Sequence, residues 1–460
     1  MDEFLDIQKI KECISNLVKS SQAYDPSSID RQKINDMHRI LKLKKQINHL
    51  FNYRYDIVNH LFRYKYEVQD GTLEYFKQQS DTDWFVKIFG VREFHNEADS
   101  NRYEVTKNLF SLIKDPFPNL NGTFDSILIA PNGNTFKVGQ FTTPTLAEIR
   151  ESAKVKEIFK VWGSDDFTNH ELTRNEDPII TIEDYKTGDI LEKHHEFTGS
   201  TIQAASQLNA LEFTYYDVTP RDGITNYQTD NTQGPACALA CAAGTFARNY
   251  YYQTPEKQIN YLDEFEKAIE NDIKKYFTVT NGYLLINGFT TREKKENLKR
   301  LNIYLSTLSQ DDLNKLKNLI KTGLHQNVEI IFKDRFNLVD IKGIEINQVY
   351  ASALSVSYNS DIANDPNWEK FATLVLEAQY EATLLAAINS LNHTVILTLL
   401  GRGAFGNKPE WIFNAIVTAI REVKKIKNKN FQIKLNIKLG YYSSIDTIIN
   451  KAKIDEELLK

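Results

Sequence analysis

The chain has 460 residues, 41% hydrophobic, 25% charged and 12% aromatic, with a formal net charge of -5. At roughly 150 residues per domain this is room for about three folding units, and the balance offers no basic field to hold nucleic acid. Three cysteines, Cys13, Cys237 and Cys241, are too few for a disulfide framework, and the pair at 237 and 241 lacks the further ligands of a zinc site, which points to a reducing compartment and no structural metal.

The acidic, amphipathic start lacks the basic residues and apolar run of a secretory signal, and no run of about 18 apolar residues suggests a membrane span. Leu5, Ile10, Ile14 and Leu17, then Ile40, Leu43, Ile47, Leu50 and Phe51, recur at steps of three and four and predict a helical region over 1–65. A mixed α/β extension follows over 66–178. Within it Phe124 to Ala130 and Thr135 to Phe141 flank Pro131-Asn132-Gly133-Asn134, a hairpin signal because Asn-Gly accepts positive φ. Thr143-Pro144 then opens a helix.

From 179 to 460 strands and helices alternate, which predicts an α/β layered fold. The candidate strands are Ile179 to Asp184, Thr201 to Ala205, Val328 to Phe332, Ile346 to Leu354, Thr394 to Leu400 and Phe431 to Leu439; helices are expected over 235–250, 258–276, 309–324, 367–389 and 409–426.

The sharpest motif is HTVILTLLGRGAFGNKPEWIFNAIVTAI, beginning at His393. A β-branched strand runs into Gly401-Arg402-Gly403-Ala404-Phe405-Gly406-Asn407, and Pro409 opens an amphipathic helix. Glycines let amides converge on an anion and the helix start adds its partial positive charge, so the segment reads as a diphosphate cradle. It is neither a Walker A nor a dinucleotide fingerprint, for it has no Gly-Lys-Ser/Thr and follows the last strand of its unit. The alternative is a tight turn that needs glycine for geometry alone.

This loop resembles the second phosphate loop of macrodomains, in which a strand ends in a G-x-G-x-F-G turn around the diphosphate of ADP-ribose. Upstream, INQVYASALSVSY and the helix WEKFATLVLEAQYEATLLAAI resemble the elements before that loop. PIITIEDYKTGDILEKHHEFTGSTIQAASQLN is similar to the macrodomain opening, and TQGPACALACAAGTFARNYY resembles the first glycine loop and its helix. The resemblance covers about 179 to 440, in order, with long insertions. It implies a three-layer macrodomain-like α/β fold with a mixed sheet, preceded by the helical and mixed extension. It also implies adenine against Asp189 and Ile190, with Asn209, Gln233, Gly234, Tyr358 and the 401–407 loop around the riboses and diphosphate. No cofactor is required; ADP-ribose is ligand or product. Departures are plain: Gln233-Gly234-Pro235 replaces a glycine triplet, the paired glutamates of poly(ADP-ribose) glycohydrolases are missing, and Cys237 stands where mono-ADP-ribosyl hydrolases often carry aspartate. In general architecture the MavL-type bacterial effectors, which remove ADP-ribose from an arginine of ubiquitin, are the nearest functional analogue.

Cleaving ADP-ribose from a side chain passes through an oxocarbenium-like transition state and needs a carboxylate, usually with a second acid. The insertion LEFTYYDVTPRDGITNYQTDNTQGP carries Glu212, Asp217, Asp222 and Asp230, of which Asp230 and Asp222 rank first. Each reads equally as a turn or cap residue. Glu377 and Glu381 share one helix face, either functional or simply solvated. Cys237 beside a helix start has no histidine placed to activate it, and the adjacent His194 and His195 make no two-histidine metal site. Phe405, Tyr358 and Tyr441-Tyr442 are candidate stacking rings or core. The expected activity is recognition of ADP-ribose and its hydrolytic removal from a modified protein, ubiquitin included, with no nucleic acid partner. The competing readings are a reader without turnover and an interaction scaffold. The expected setting is the cytoplasm, or a host cytosol into which an effector is delivered.

Overall fold

A computed structural model describes residues 83–94, 101–118, 124–153, 178–186, 188–426 and 434–441. The chain forms two compact units: Met1–Gln78, Asn132–Asn134 and Lys156–Arg174 make one, and the remaining residues the other. The first lies almost wholly outside the described residues, and the predicted helices of 1–65 fall there too.

In the second unit, α1 (Trp84–Phe89) and α2 (Arg102–Asn108) precede β1 (Ser111–Pro118), β2 (Phe124–Ile129), β3 (Thr135–Thr142) and α3 (Leu146–Ala153). Next come β4 (Ile179–Lys186), α4 (Ile190–Lys193), β5 (Thr201–Ser206), α5 (Gln233–Ala240), α6 (Ala242–Tyr250), α7 (Asp263–Ala268) and α8 (Asn271–Lys274). A two-stranded ribbon of β6 (Phe277–Thr280) and β7 (Tyr283–Ile286) leads to α9 (Thr291–Thr307), α10 (Gln310–Asn318), β8 (Gly323–Glu329) and β9 (Glu345–Ser352). The last elements are α11 (Glu369–Asn389), β10 (Thr394–Thr398), α12 (Pro409–Lys424) and β11 (Lys434–Tyr441).

Nine strands form one mixed sheet in the order β1-β2-β3-β8-β9-β5-β10-β11-β4. From β9 to β4 neighbours run parallel, and from β1 to β9 they run antiparallel. The expected mixed α/β fold is therefore present. The hairpin strands of the 66–178 stretch join this same sheet through β3 and β8, so no break in the sheet falls at residue 178.

Because strand side chains alternate, each face meets a different helical layer. His325, Gln348 and Tyr350 point to the side of α5 and α6, where Gln348 Nε2 donates to Cys237 O at 2.8 Å and the Arg248 guanidinium lies 3.5 Å from the Tyr350 ring centre. Gln203 and Gln326 point the other way, donating to Thr383 Oγ1 and Ser390 Oγ at 2.8 and 2.9 Å. Three layers result.

On that second face most of α11 is buried, and its apolar residues accordingly spread round the helix rather than along one stripe. By length and composition Pro366–Asn389 would pass as a membrane span, but 89% of the apolar stretch is buried in the protein, as in the core helix of a folded domain. Arg150 forks onto both Glu381 carboxylate oxygens at 2.6 and 2.8 Å and ties α3 to α11. The helix predicted over 235–250 is two helices, because Ile331 and Phe332 donate to Ala240 O at 2.8 and 3.2 Å and take the carbonyl that would carry it through Cys241. The strand predicted from Val328 instead starts at Gly323 and ends at Glu329.

Candidate functional site

Five parallel strands finish at one edge of the sheet, the position where open α/β sheets bind ligands. In the order β4, β11, β10, β5, β9 the edge carries Asp189 and Ile190, then Gly440, then the 401–407 loop, then the start of α5, then Tyr358. Asp189, Ile190, Asn231, Gln233, Arg402 and Gly403 are among the residues lining a cleft of about 530 Å³ there. Four strand spacings of about 4.8 Å make this edge roughly 19 Å long, the reach of a dinucleotide-sized ligand.

The glycines of the 401–407 loop have different causes. Gly401 and Gly406 hold φ of 74° and 68°, and a Cβ would strike Ala353 at the first and Ser357 Oγ at the second. Both are required by the turn itself. Gly403 has neither constraint: its φ is ordinary, and a Cβ there would meet nothing within 4 Å. Asn407 closes the loop, its amide N donating to Gly401 O at 2.9 Å and its Nδ2 to Leu354 O at 2.8 Å. Ser357 N donates to Phe405 O and Gly406 N to Gly403 O, each at 3.0 Å. Among the described residues nothing accepts from the amides of Gly403, Ala404 or Phe405. Successive unpaired amides before a helix start form an anion cradle.

The start of α5 is built in the opposite sense. Gly234 lies so close to β5 that a Cβ would collide with Ala205 O. Gln233 is spent on the same strand, its Oε1 accepting from Ala205 N at 2.6 Å and its Nε2 donating to Gln203 O at 2.8 Å. Behind them Glu212 is 2% exposed, with Arg248 Nη2 3.6 Å from its Oε2, too far for a hydrogen bond. Neither carboxyl oxygen has a hydrogen-bond partner among the described residues. Burial pushes this carboxyl up to about 8 against the pull of Arg248 and Tyr227, so it is protonated at neutral pH. Cys237 is also sealed, and burial raises its thiol well above the ordinary range, which does not suit a nucleophile.

At the β4 end, Asp189 Oδ1 caps α4 by accepting from Leu191 N at 3.1 Å, and Oδ2 accepts from Arg335 Nε at 2.8 Å. A carboxylate has further lone pairs, so this pairing leaves capacity for an adenine amino group. Below it His194 donates from Nδ1 to Ile190 O at 2.8 Å and accepts at Nε2 from Gln348 at 2.9 Å. Burial lowers His194 to about 4, which keeps the ring neutral.

The structure does not bring every candidate to the cleft. Asp222 closes a capping box with Thr219, accepting its amide at 2.8 Å, and stands 3.6 Å from Arg102. Asp230 caps its own turn by accepting from Thr232 N and Oγ1 at 2.8 and 2.6 Å. Glu377 pairs with Lys317 at 3.4 Å on the side of α11 that meets α10. Asn209 is buried, bonded to Gln258 at 2.8 Å and covered by Gly282. Tyr358 packs against Phe405 with ring centres 5.6 Å apart. Tyr442 lies outside the described residues. The sequence reading ranked Glu212 below its neighbours; its apolar flanks, Leu211 and Phe213, were the signal that it enters the core. Arg248 and Arg335 were not singled out at all. Among the described residues no three His, Cys, Asp or Glu side chains gather as metal ligands.

No protein-family model and no curated protein matches the sequence. Among solved structures, poly(ADP-ribose) glycohydrolase from Deinococcus radiodurans in complex with ADP-ribose is similar at 9% identity and a TM-score of 0.34, over 69% of this chain and 94% of that one. The poly(ADP-ribose) glycohydrolase from Thermomonospora curvata gives 10% identity and 0.34, over 72% and 93%. The same enzyme bound to the inhibitor ADP-HPD gives 10% and 0.33, over 72% and 92%. Likeness at this level fixes neither a family nor an activity.

Proposed function

We propose that the cleft binds ADP-ribose and that the protein hydrolyses the glycosidic bond joining ADP-ribose to a modified protein side chain. The carrying observation is Gly403: a glycine with no torsional or steric need for glycine, in a run of three unpartnered amides at a helix start. In this reading the diphosphate lies on the amides of Gly403, Ala404 and Phe405, with adenine at the Asp189 and Ile190 end. The resemblance of the loop, and of the segments before it, to macrodomain sequence points the same way. No cofactor or metal enters the reaction as proposed.

Glu212 becomes the first candidate for the acid, ahead of Asp222, Asp230 and Glu377, because its proton is retained near neutrality and it lies against the first turn of α5. A general acid of this kind protonates the departing group as water adds to the ribose carbon. A second reading, a binding protein without turnover, is favoured by the complete burial of the Glu212 oxygens.

Calorimetric titration with ADP-ribose, with AMP and NAD as controls, tests the reading directly. Selective binding that Gly403→Glu removes supports it, and absence of ADP-ribose binding by the native chain overturns it. Peptides ADP-ribosylated on arginine, glutamate or serine then separate a hydrolase from a reader by release of ADP-ribose.

A further inference from the structure

The outer side of α9 carries charge that the protein leaves unbalanced. Its inner stripe, Leu298, Leu301 and Leu305, is buried. On the side facing away lie Arg292, Lys295 and Lys299, at steps of three and four and all exposed. Among the described residues none of the three has an ion pair or a hydrogen bond. In a chain of net charge -5 such a stripe runs against the overall balance.

The nearby carboxylates that could balance these cations are engaged elsewhere. Glu293 closes the capping box with Thr290. Glu296 Oε1 accepts from Arg300 Nε at 2.9 Å, and Asp361 Oδ1 accepts from Lys294 Nζ at 3.2 Å. Asp365 caps the turn Pro366–Trp368, its Oδ1 accepting from Asn367 N and Nδ2 at 3.0 and 2.7 Å. Between that turn and the cationic side of α9 lies a hollow of about 500 Å³, with Arg292, Lys295, Glu296, Lys299, Asp365 and Asn367 among its lining residues. Asn302 Nδ2 donates to Asn367 Oδ1 at 3.0 Å and holds the two walls together.

Apolar side chains stand at both ends of the stripe. Phe289 precedes the N-cap, a position whose side chain commonly packs on the fourth helical residue. Here that residue is Lys294, held by Asp361, and the Phe289 ring is fully exposed. Its backbone is fixed, because Phe289 N donates to Glu293 Oε2 at 2.8 Å. Ile303, also exposed, closes the other end, roughly 17 Å from Arg292 along the helix axis. A fixed aromatic ring in full exposure, beside uncompensated cations, has the composition of an interface anchor.

This surface lies next to the proposed ligand cleft. Asp361, held to α9 by Lys294 and Thr291 at 3.2 Å each, is three residues from Tyr358 at the β9 end of the strand edge. That length of chain spans at most about 10 Å. Asn359 Nδ2 donates to Leu284 O at 3.1 Å, so the same segment is also fastened to β7. With adenine at Asp189 and the diphosphate on Gly403, the attached end of ADP-ribose points to Tyr358, and the chain that carries it passes α9.

We infer that the outer side of α9, with Phe289 as its anchor and Arg292, Lys295 and Lys299 as its charges, docks an acidic segment of the modified protein beside the bound ADP-ribose. Assigning the segment to the modified protein rests on the ADP-ribose reading given above; the preference for carboxylates does not. Three exposed cations attract a run of carboxylates and orient it, with a pull that salt weakens. A bilayer is the poorer fit. Its flat headgroup plane meets Asp365 and Glu296 along with the cations, whereas the side chains of a peptide can reach each cation separately.

The test uses the full chain and rhodamine-labelled peptides read by fluorescence anisotropy. A peptide alternating glutamate and leucine should bind about tenfold more tightly than its glutamine counterpart at low salt, as three exposed charge contacts together provide, and the difference should shrink in about 0.5 M salt. Arg292→Gln, Lys295→Gln and Lys299→Gln together should bring the ratio near unity with an unchanged melting temperature. Lys114→Gln, Lys257→Gln and Lys342→Gln, equal in charge but on exposed lysines elsewhere, should keep it. Phe289→Ser should weaken both peptides alike. Joining ADP-ribosylated serine to the acidic peptide should bind at least about tenfold more tightly than the better of the two parts, because the second contact becomes intramolecular. Equal affinity for the two peptides, or a ratio that survives the α9 substitutions or falls with the control ones, overturns the docking surface while leaving ADP-ribose binding standing. Binding to phosphatidylserine vesicles that the α9 substitutions abolish, with no preference between the peptides, overturns it in favour of a membrane contact. No gain from joining the parts overturns the modified protein as the source of the segment. If free ADP-ribose does not bind, the larger reading fails, and the peptide pair still decides the surface.

Discussion

Two helix starts face the same cleft and use glycine in opposite ways. At α12 the loop leaves Gly403 in open space with three amides unpaired. At α5 Gly234 is wedged against Ala205 O, and Gln233 is consumed by β5. The first arrangement keeps backbone polarity free for a guest; the second uses it up in packing, with a neutral carboxyl sealed behind. A glycine in a phosphate-loop pattern is therefore informative only once its φ and its surroundings are known.

Substitutions at the two sites should separate them sharply. Gly403→Glu places a carboxylate among the free amides and should weaken ADP-ribose by at least about 100-fold in calorimetry with an unchanged melting temperature, since its Cβ enters empty space. Glu212→Gln should lower the single-turnover rate on an ADP-ribosylated peptide by about 100-fold with the dissociation constant held, the loss typical of a missing general acid. Equal rates would instead place α5 wholly on the structural side of the comparison.

Gly234→Ala should destabilise the fold by about 1–3 kcal/mol in urea titration, because the methyl meets rigid backbone. Should that variant melt like the native chain, the wedge is not a constraint.

A smaller effect is expected from pH. Glu212 titrates near 8 when folded and near its ordinary value when unfolded, so the folded state binds the extra proton in between. Its contribution is fully present below the unfolded value and lost as pH rises toward 8. His194, lowered to about 4, acts the other way, adding stability above its unfolded value and losing it as pH falls toward 4. Across about pH 6.5 to 8.5 the Glu212 part of the pH dependence should be absent from Glu212→Gln, which should gain about 2 °C or more on the native chain as pH rises, read by differential scanning calorimetry. Asp222→Ala should cost least, about 1 kcal/mol or less, as the loss of an exposed cap.

Periodicity made the parallel half of the sheet legible. β4, β5, β9 and β10 begin within a residue of their predicted starts, since apolar β-branched runs between turn signals have few other uses. The glycine loop and its helix were legible for the same reason, with Pro409 fixing the start of α12. What the sequence hid was set by distant contacts. The break at Cys241 depends on amides ninety residues away, and α9 escaped because its inner face shows only Leu298, Leu301 and Leu305 among seventeen mostly polar residues. The carboxylates are told apart by the fold, because local spacing marks a cap but not the depth of a side chain: Asp222 and Asp230 have cap patterns and serve as caps, whereas Glu212, between Leu211 and Phe213, is buried.

Asn407 carries one more consequence. Its side chain and amide fasten the glycine loop to Gly401 and Leu354 from within, so the cradle is set without help from a guest. Little rearrangement then separates encounter from capture. In stopped flow the observed rate should climb linearly with ADP-ribose concentration and show no plateau, and releasing the fastening by Asn407→Ala should introduce one.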